Sequence, residues 1–192
     1  MLGTQEREVI GRLWEQKLEQ DRAGLPQAQR HRNLEPASAE FLCALAGGIS
    51  AKRIVEIGGS TGLSTIALAA AARATGGRVI SFEIDPQRQA AAHDTLARLR
   101  LIPYVELIPK DATSMLPGMG TVQFALIDCE KEDYIRFFDM LRVEPNGIVV
   151  ADNILSHALG DYVRHVRSRP RVESMTVTIG AGLEVTRFVA RE

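Results

Sequence analysis

Arg53-Ile54-Val55-Glu56-Ile57-Gly58-Gly59-Ser60-Thr61-Gly62-Leu63-Ser64-Thr65-Ile66-Ala67-Leu68-Ala69 reads as an apolar strand, a glycine turn and the opening of a helix. The same alternation continues from here along the chain. Strands are predicted at 53–58, 78–83, 104–109, 122–128 and 147–152. Helices are predicted between and after them, at 62–74, 86–99, 111–116, 132–142 and 157–168. Strands that alternate with helices imply right-handed crossovers and a mostly parallel sheet covered on both faces. Two further β-rich pieces, Met175–Ile179 and Leu183–Ala190, are joined by Gly180-Ala181-Gly182. That link is short enough for a hairpin, so the last strand should run antiparallel. The predicted fold is α/β: a doubly wound, mostly parallel seven-stranded sheet with an antiparallel C-terminal hairpin.

Ahead of this core, apolar positions 9, 10, 13, 14 and 18 have helix spacing, which predicts a helix over 5–21. Gly24–Pro36 is polar and proline-punctuated and reads as a loop. Pro36 then opens a helix running to Gly47-Gly48, where proline suits the first turn. With 192 residues and 45% hydrophobic content, the chain is expected to be one domain over 1–192. Residues 1–35 would form an N-terminal helical extension and 36–192 the cofactor-binding core.

The glycine turn lets a ligand approach the backbone closely, and the helix after it presents free N–H groups. Glu83, at the end of the next strand and about 20 residues on, can hold ribose hydroxyls. This combination fits an adenosine cofactor. The loop lacks the G-x-G-x-x-G spacing of dinucleotide binders. Glu56, two positions before the first glycine, suits a ligand with an ammonium group and repels a pyrophosphate. Both features favour S-adenosylmethionine over NAD.

Two strand ends carry the remaining chemistry. Ala125-Leu126-Ile127-Asp128-Cys129-Glu130-Lys131 and Ile148-Val149-Val150-Ala151-Asp152-Asn153 each stop an apolar run at oxygen ligands. Parallel neighbours lie about 4.8 Å apart, so Asp128, Asp152 and Asn153 would converge on one sheet edge. Three side-chain oxygens suit a magnesium-like ion that leaves positions for water or substrate. Lys131, beside such an ion, is a candidate proton acceptor. Taken singly, either acid could instead cap a helix, and Lys131 could be a surface charge.

The composition narrows the field. A formal net charge of −1 gives no electrostatic basis for nucleic-acid binding. Arg164–Arg171, the richest basic stretch, reads as the solvated face and end of a helix. Cys43 and Cys129 offer neither a disulfide framework nor zinc spacing. His31, His93, His157 and His165 are scattered, and only His157 falls where it could line an acceptor pocket. No apolar run approaches membrane-spanning length and the N-terminus lacks a signal-peptide core, so a cytoplasmic location with no membrane partner is expected.

Val55-Glu56-Ile57-Gly58 with Gly62-Leu63-Ser64, Phe82-Glu83-Ile84-Asp85, Asp111-Ala112, Ile127-Asp128 with Lys131 and Tyr134, and Ala151-Asp152-Asn153 together resemble the cation-dependent O-methyltransferases. That family includes the catechol and caffeoyl-CoA enzymes, and the resemblance covers roughly residues 33–190. It implies a Rossmann-like methyltransferase that moves a methyl group from S-adenosylmethionine to a hydroxyl of a small catechol-like acceptor. By this resemblance Glu56, Gly58 and Ser64 would line the methionine end of the cofactor. Glu83 would bind the ribose, Asp111 and Ala112 would lie near the adenine, and Gly59, Ser60, Gly62, Ile84 and Asp128 would complete the cofactor site. Asp128, Asp152 and Asn153 match the ligands of Mg2+ or another divalent cation, and Lys131 matches the catalytic base.

The chain also departs from these relatives. The connector after Asn153 is short, and no acid or aromatic gate of the catechol-specific kind is evident in the sequence. Aromatic residues make up only 5% of the chain, so an open acceptor pocket is expected. The region before about residue 33 matches least; with Leu13, Trp14 and Leu18 it could cover the acceptor or form a homodimer contact. Two other functions remain open from the residues alone: a cation-independent methyltransferase and a nucleotide-sensing module without chemistry.

Overall fold

A computed structural model describes residues 2–26 and 29–190. Thirteen regular elements follow the predicted order. Helices α1 (Thr4–Arg22) and α2 (Pro36–Gly48) precede β1 (Arg53–Ile57), α3 (Leu63–Thr75), β2 (Arg78–Phe82), α4 (Pro86–Arg98) and β3 (Val105–Ile108). Then come β4 (Val122–Ile127), α5 (Tyr134–Met140), β5 (Val143–Ala151), α6 (Gly160–Arg167), β6 (Val172–Val177) and β7 (Leu183–Phe188).

The seven strands form one sheet in the order β3-β2-β1-β4-β5-β7-β6. The first five are parallel, and β7 runs antiparallel to both β5 and β6. From β1 the chain winds outward through β2 and β3, then returns to the other side of β1 for β4 and β5. The crevice between the carboxyl ends of β1 and β4 is therefore the topological switch point, where α/β sheets bind their ligands.

One face of the sheet is covered by α2, α3 and α4, with α1 packed outside α3. Leu63–Ala72 of α3 are all buried, and the run Ala69-Ala70-Ala71-Ala72 explains how. Methyl-sized side chains let α1 and α2 approach one side of that helix while the sheet takes the other. The second face is closed by Phe137 and Phe138 of α5, Tyr162 and Val166 of α6, and Ile154 and Leu159 between β5 and α6. Tyr162 meets both Tyr134 and Phe138 edge to face, at 5.5 and 6.0 Å between ring centres. No helix among the described residues is long and apolar enough to cross a membrane.

Four local expectations change, the simplest being β6, which runs over Val172–Val177 rather than 175–179 because it pairs along its whole length with β7. The helix expected at 111–116 is a pair of 3-10 turns, Ala112–Ser114 and Leu116–Gly118. Asp111 caps the first by accepting the Thr113 N–H at 2.8 Å, while Pro117 and Gly118 deny the second a continuation. The helix expected from 157 begins at Gly160, because His157 N–H returns to the Asn153 carbonyl at 3.2 Å in a turn. Strand β5 starts at Val143 rather than 147. Val143 pairs with Val122 across an irregular register, and Asn146 absorbs the bend at φ 64°.

Candidate active site

The strand register brings the predicted residues to one edge. Ile57 is level with Ile127 and Ile127 with Ala151, so Gly58, Asp128 and Asp152 are the next residues on three adjacent strands. Backbone bonds carry the ladder one step further: Asp128 N–H to the Ile57 carbonyl at 2.9 Å, and Asp152 N–H to the Ile127 carbonyl at 3.1 Å. Gly58 N–H likewise donates to the Phe82 carbonyl at 2.9 Å, which sets Glu83 beside the glycine loop.

Two cavities open from this edge, with Asp128 and Arg32 in the wall of both. The first is bordered by Gly58, Ser60, Glu83, Ile84, Asp111 and Ala112, all predicted cofactor residues. Glu83 is buried, and its two oxygens accept the N–H groups of Ser60 at 2.8 Å and Asp85 at 2.9 Å. Ile84 is 69% exposed and with Phe137 supplies apolar surface next to Asp111 and Ala112, a setting suited to a flat base. Thr113 N–H and hydroxyl donors hold the Asp111 carboxyl below the usual carboxylate range.

Glu56, Gly59, Gly62 and Ser64 stand behind this wall. Glu56 is fully buried and accepts the Thr65 hydroxyl at 2.6 Å and the Ser81 hydroxyl at 2.5 Å. Burial pushes its carboxyl pKa up, against the Ser64, Ser81 and Thr65 hydroxyls, and its Oε1 has no partner. A Cβ at Gly59 would lie 3.1 Å from Glu56 Oε2, and one at Gly62 3.0 Å from the Ala92 methyl. Gly62 also takes φ 94° at the start of α3, a conformation that favours glycine.

The second cavity is polar. Its deep end holds Asp128, Asp152, Asn153, Lys131 and Glu35. Asn153, at φ 65°, donates from Nδ2 to Asp128 Oδ1 at 2.9 Å and to Asp152 Oδ2 at 3.1 Å. Lys131 Nζ donates to Asp128 Oδ1 at 3.3 Å and to the Tyr134 hydroxyl at 2.7 Å, and that hydroxyl donates to the Asp152 carbonyl at 3.2 Å. Asp152 is 1% exposed and its Oδ1 is buried with no partner. Burial, followed by the nearby Asp128 charge, pushes the Asp152 carboxyl up to about 8. Burial raises Asp128 as well, with Lys131 opposing.

These residues fit a hard divalent cation. Lys131, and Arg32 from further off, are the cations that act on two crowded carboxylates, one carboxylate oxygen is buried and unpartnered, and a half-turn of the Asn153 amide would present its oxygen. Among the described residues no set of three His, Cys, Asp or Glu side chains is arranged for a metal, so the donor set here is two carboxylates and one amide.

Sequence reasoning missed Glu35 and Arg32, which lie in the loop before α2 and reach the site only through the tertiary fold. Glu35 Oε2 is buried without a partner, and its charge adds to the upward pressure on Asp128 and Asp152. Arg32 forms an ion pair with Glu130 in the wall of the first cavity, and its N–H donates to the Ser60 hydroxyl at 3.0 Å. Asn33 and Thr61 exchange hydrogen bonds at 2.9 and 3.1 Å. The N-terminal segment is thus fastened to the glycine loop. His157 lines the second cavity, whereas Cys129, pushed up to about 12 by burial, lines the first.

Similarity to known proteins agrees with this geometry. The chain is 35% identical over 120 residues to a catechol O-methyltransferase of Mycobacterium tuberculosis, covering 60% of this chain and 54% of that protein. It is 34% identical over 140 residues to one from Niastella koreensis, covering 69% and 61%. The matches thus span little more than half the length of these relatives. Its fold is shared with an O-methyltransferase from Bacillus cereus solved in complex with SAH, at a TM-score of 0.77 and 21% identity over 98% of this chain and 92% of that one. A cofactor-bound protein from MTB superposes with a TM-score of 0.74 at 26% identity, covering 93% and 90%. The family profile described as O-methyltransferase matches residues 15–189, nearly the whole chain, and with the switch-point glycine loop and the paired acids in place the chain belongs to the O-methyltransferase family.

Proposed function

We propose that this chain transfers the methyl group of S-adenosylmethionine to a hydroxyl of a small vicinal dihydroxy acceptor held on a divalent cation. The observation that carries the reading is the junction of the two cavities at Asp128. The cleft lined by Gly58, Ser60, Glu83 and Asp111 and an acidic, oxygen-lined cleft share one carboxylate, so the donor and the acceptor would meet there.

When bound, S-adenosylmethionine supplies an electrophilic methyl group, and the cation supplies Lewis acidity and a template for two neighbouring oxygens. Asp128, Asp152 and Asn153 would hold the cation. Lys131 takes the proton of the attacking hydroxyl. Tyr134, fixed on the Asp152 carbonyl, orients the lysine amine at 2.7 Å. Glu83 would hold the ribose against the glycine loop, with Ile84 and Ala112 bordering the base. Methyl transfer needs the two reactants close and aligned, and most of the protein's contribution here is that positioning.

Transfer of a labelled methyl group from S-adenosylmethionine to a panel of dihydroxyphenyl compounds tests the reading. Transfer should occur with magnesium and stop with a chelator. Transfer that ignores the chelator would reduce Asp128, Asp152 and Asn153 to structural roles.

A further inference from the structure

The acceptor cavity has two ends of opposite character. At the deep end, side-chain exposure is 9% for Asp128 and 19% for Lys131. At the mouth it is 25% for Lys17, 32% for Asp21 and 34% for Arg30. The mouth is built by the N-terminal extension, from the end of α1 and the loop after it.

Lys17 and Arg30 converge there on one carboxylate. Lys17 Nζ is 2.9 Å from Asp21 Oδ2, and Arg30 Nη1 is 3.3 Å from Asp21 Oδ1. Two cations share a single anion, which leaves one positive charge in excess and several N–H donors over. Both cations are held in place. Lys17 Nζ stands 4.6 Å from the centre of the Trp14 ring, and Arg30 Nε donates to the Leu25 carbonyl. Arg32, also in the wall, is occupied by Glu130. At the deep end a divalent cation would offset two of the three carboxylates of Glu35, Asp128 and Asp152, and the third is matched only while Lys131 holds a proton. The surplus positive charge therefore lies at the mouth. The wall contains no Phe, Tyr or Trp among the described residues, its only rings being the imidazoles of His31 and His157, and Leu34 is its one aliphatic residue.

We propose that the acceptor is an anionic dihydroxy compound, with its paired hydroxyls at the deep end and a carboxylate reaching Lys17 and Arg30. The proposal rests on the function proposed above and adds the class of substrate to it. It also gives the N-terminal extension a role in specificity: Trp14 and Asp21 set the geometry of Lys17, and Asp21 that of Arg30.

The test compares 3,4-dihydroxybenzoate with its uncharged methyl ester as methyl acceptors, in the wild-type protein and in the double variant Lys17→Gln, Arg30→Gln. The quantity read is the ratio of kcat/KM for acid over ester, so that the ester reports folding in each preparation. The ratio should be about tenfold or more in the wild type, the scale of charge-assisted hydrogen bonds that are only partly solvated. It should fall towards one in the double variant and, in the wild type, decline with added salt. Calorimetric binding of the acid to the protein loaded with magnesium and SAH should weaken in parallel. A wild-type ratio of one or less, or a ratio that the double substitution leaves unchanged, would overturn the proposal while methylation of the ester upholds the parent reading. Methylation of neither compound would remove the parent reading, and this proposal with it.

Discussion

Gly58 and Asp128 touch backbone to backbone across the switch point. A Cβ at position 58 would overlap the Asp128 carbonyl oxygen and lie 2.7 Å from its carbonyl carbon, and the residue takes φ 97°. The glycine is therefore what allows β1 and β4 to deliver the glycine loop and the first acid to the same point. Gly58→Ala should destabilise the protein by about 2 kcal/mol or more, from the left-handed backbone and the overlap together. Cofactor affinity should drop with it. Chemical denaturation and calorimetric binding of S-adenosylmethionine measure the two effects.

The paired acids predict a proton balance. Burial and the neighbouring Asp128 charge set Asp152 at about 8, whereas an unfolded aspartate titrates near 3.9. Between those values Asp152 in the folded, cation-free protein holds a proton that it has lost in the unfolded chain, so its contribution to stability should fall as pH rises through that window. Magnesium binding at pH 7 should release protons from the Asp128 and Asp152 pair, and progressively fewer as pH rises above 8. Titrations in buffers of different ionisation enthalpy read the number directly.

A second buried acid behaves in the opposite way. The Glu184 side chain is fully buried at the start of β7 and takes the Arg167 guanidinium at 2.8 and 3.1 Å, with the Ser174 and Thr176 hydroxyls at 2.7 and 2.6 Å. Burial alone would raise its pKa, but these donors outweigh burial and hold it below the ordinary carboxylate value. The stability it contributes is present above the unfolded value, about 4.3, and is lost as pH falls through the folded one. Arg167→Ala should cost about 2 kcal/mol at pH 7, leaving a buried carboxylate short of its cation. The cost should shrink towards pH 3 in thermal or urea unfolding.

Much of this organisation was legible in the sequence because it is local. Apolar runs ending in Asp128 and Asp152-Asn153 fixed both the strands and the edge where their acids meet, since parallel neighbours leave little choice of register. The glycine turn with Glu83 beyond it marked the edge of the first cavity for the same reason. Local signals misread Ala112–Gly118, where capping by Asp111 and the Pro117-Gly118 pair favour tight turns over a helix. They also missed the start of β5, because Pro145-Asn146 has the composition of a turn yet lies within a strand at its irregular end. Glu35, Arg32, Lys17 and Arg30 could not be found this way. Each reaches the site from an N-terminal segment far away in sequence, and nothing in their local spacing marks a ligand.

If the first cavity serves the cofactor and the second the acceptor, Asp152→Asn and Glu83→Gln should fail in different ways when measured in parallel. For each variant, calorimetry gives the affinity for S-adenosylmethionine and the labelled-methyl assay gives kcat with magnesium at saturating cofactor. Asp152→Asn should keep cofactor affinity within about threefold and lose at least a thousandfold in kcat, the scale of a lost electrostatic and positioning group. Glu83→Gln should weaken cofactor binding by about tenfold or more while retaining most of kcat. Full turnover by Asp152→Asn, or equal losses of affinity and rate in both variants, would mean that the two cavities do not divide the work in this way.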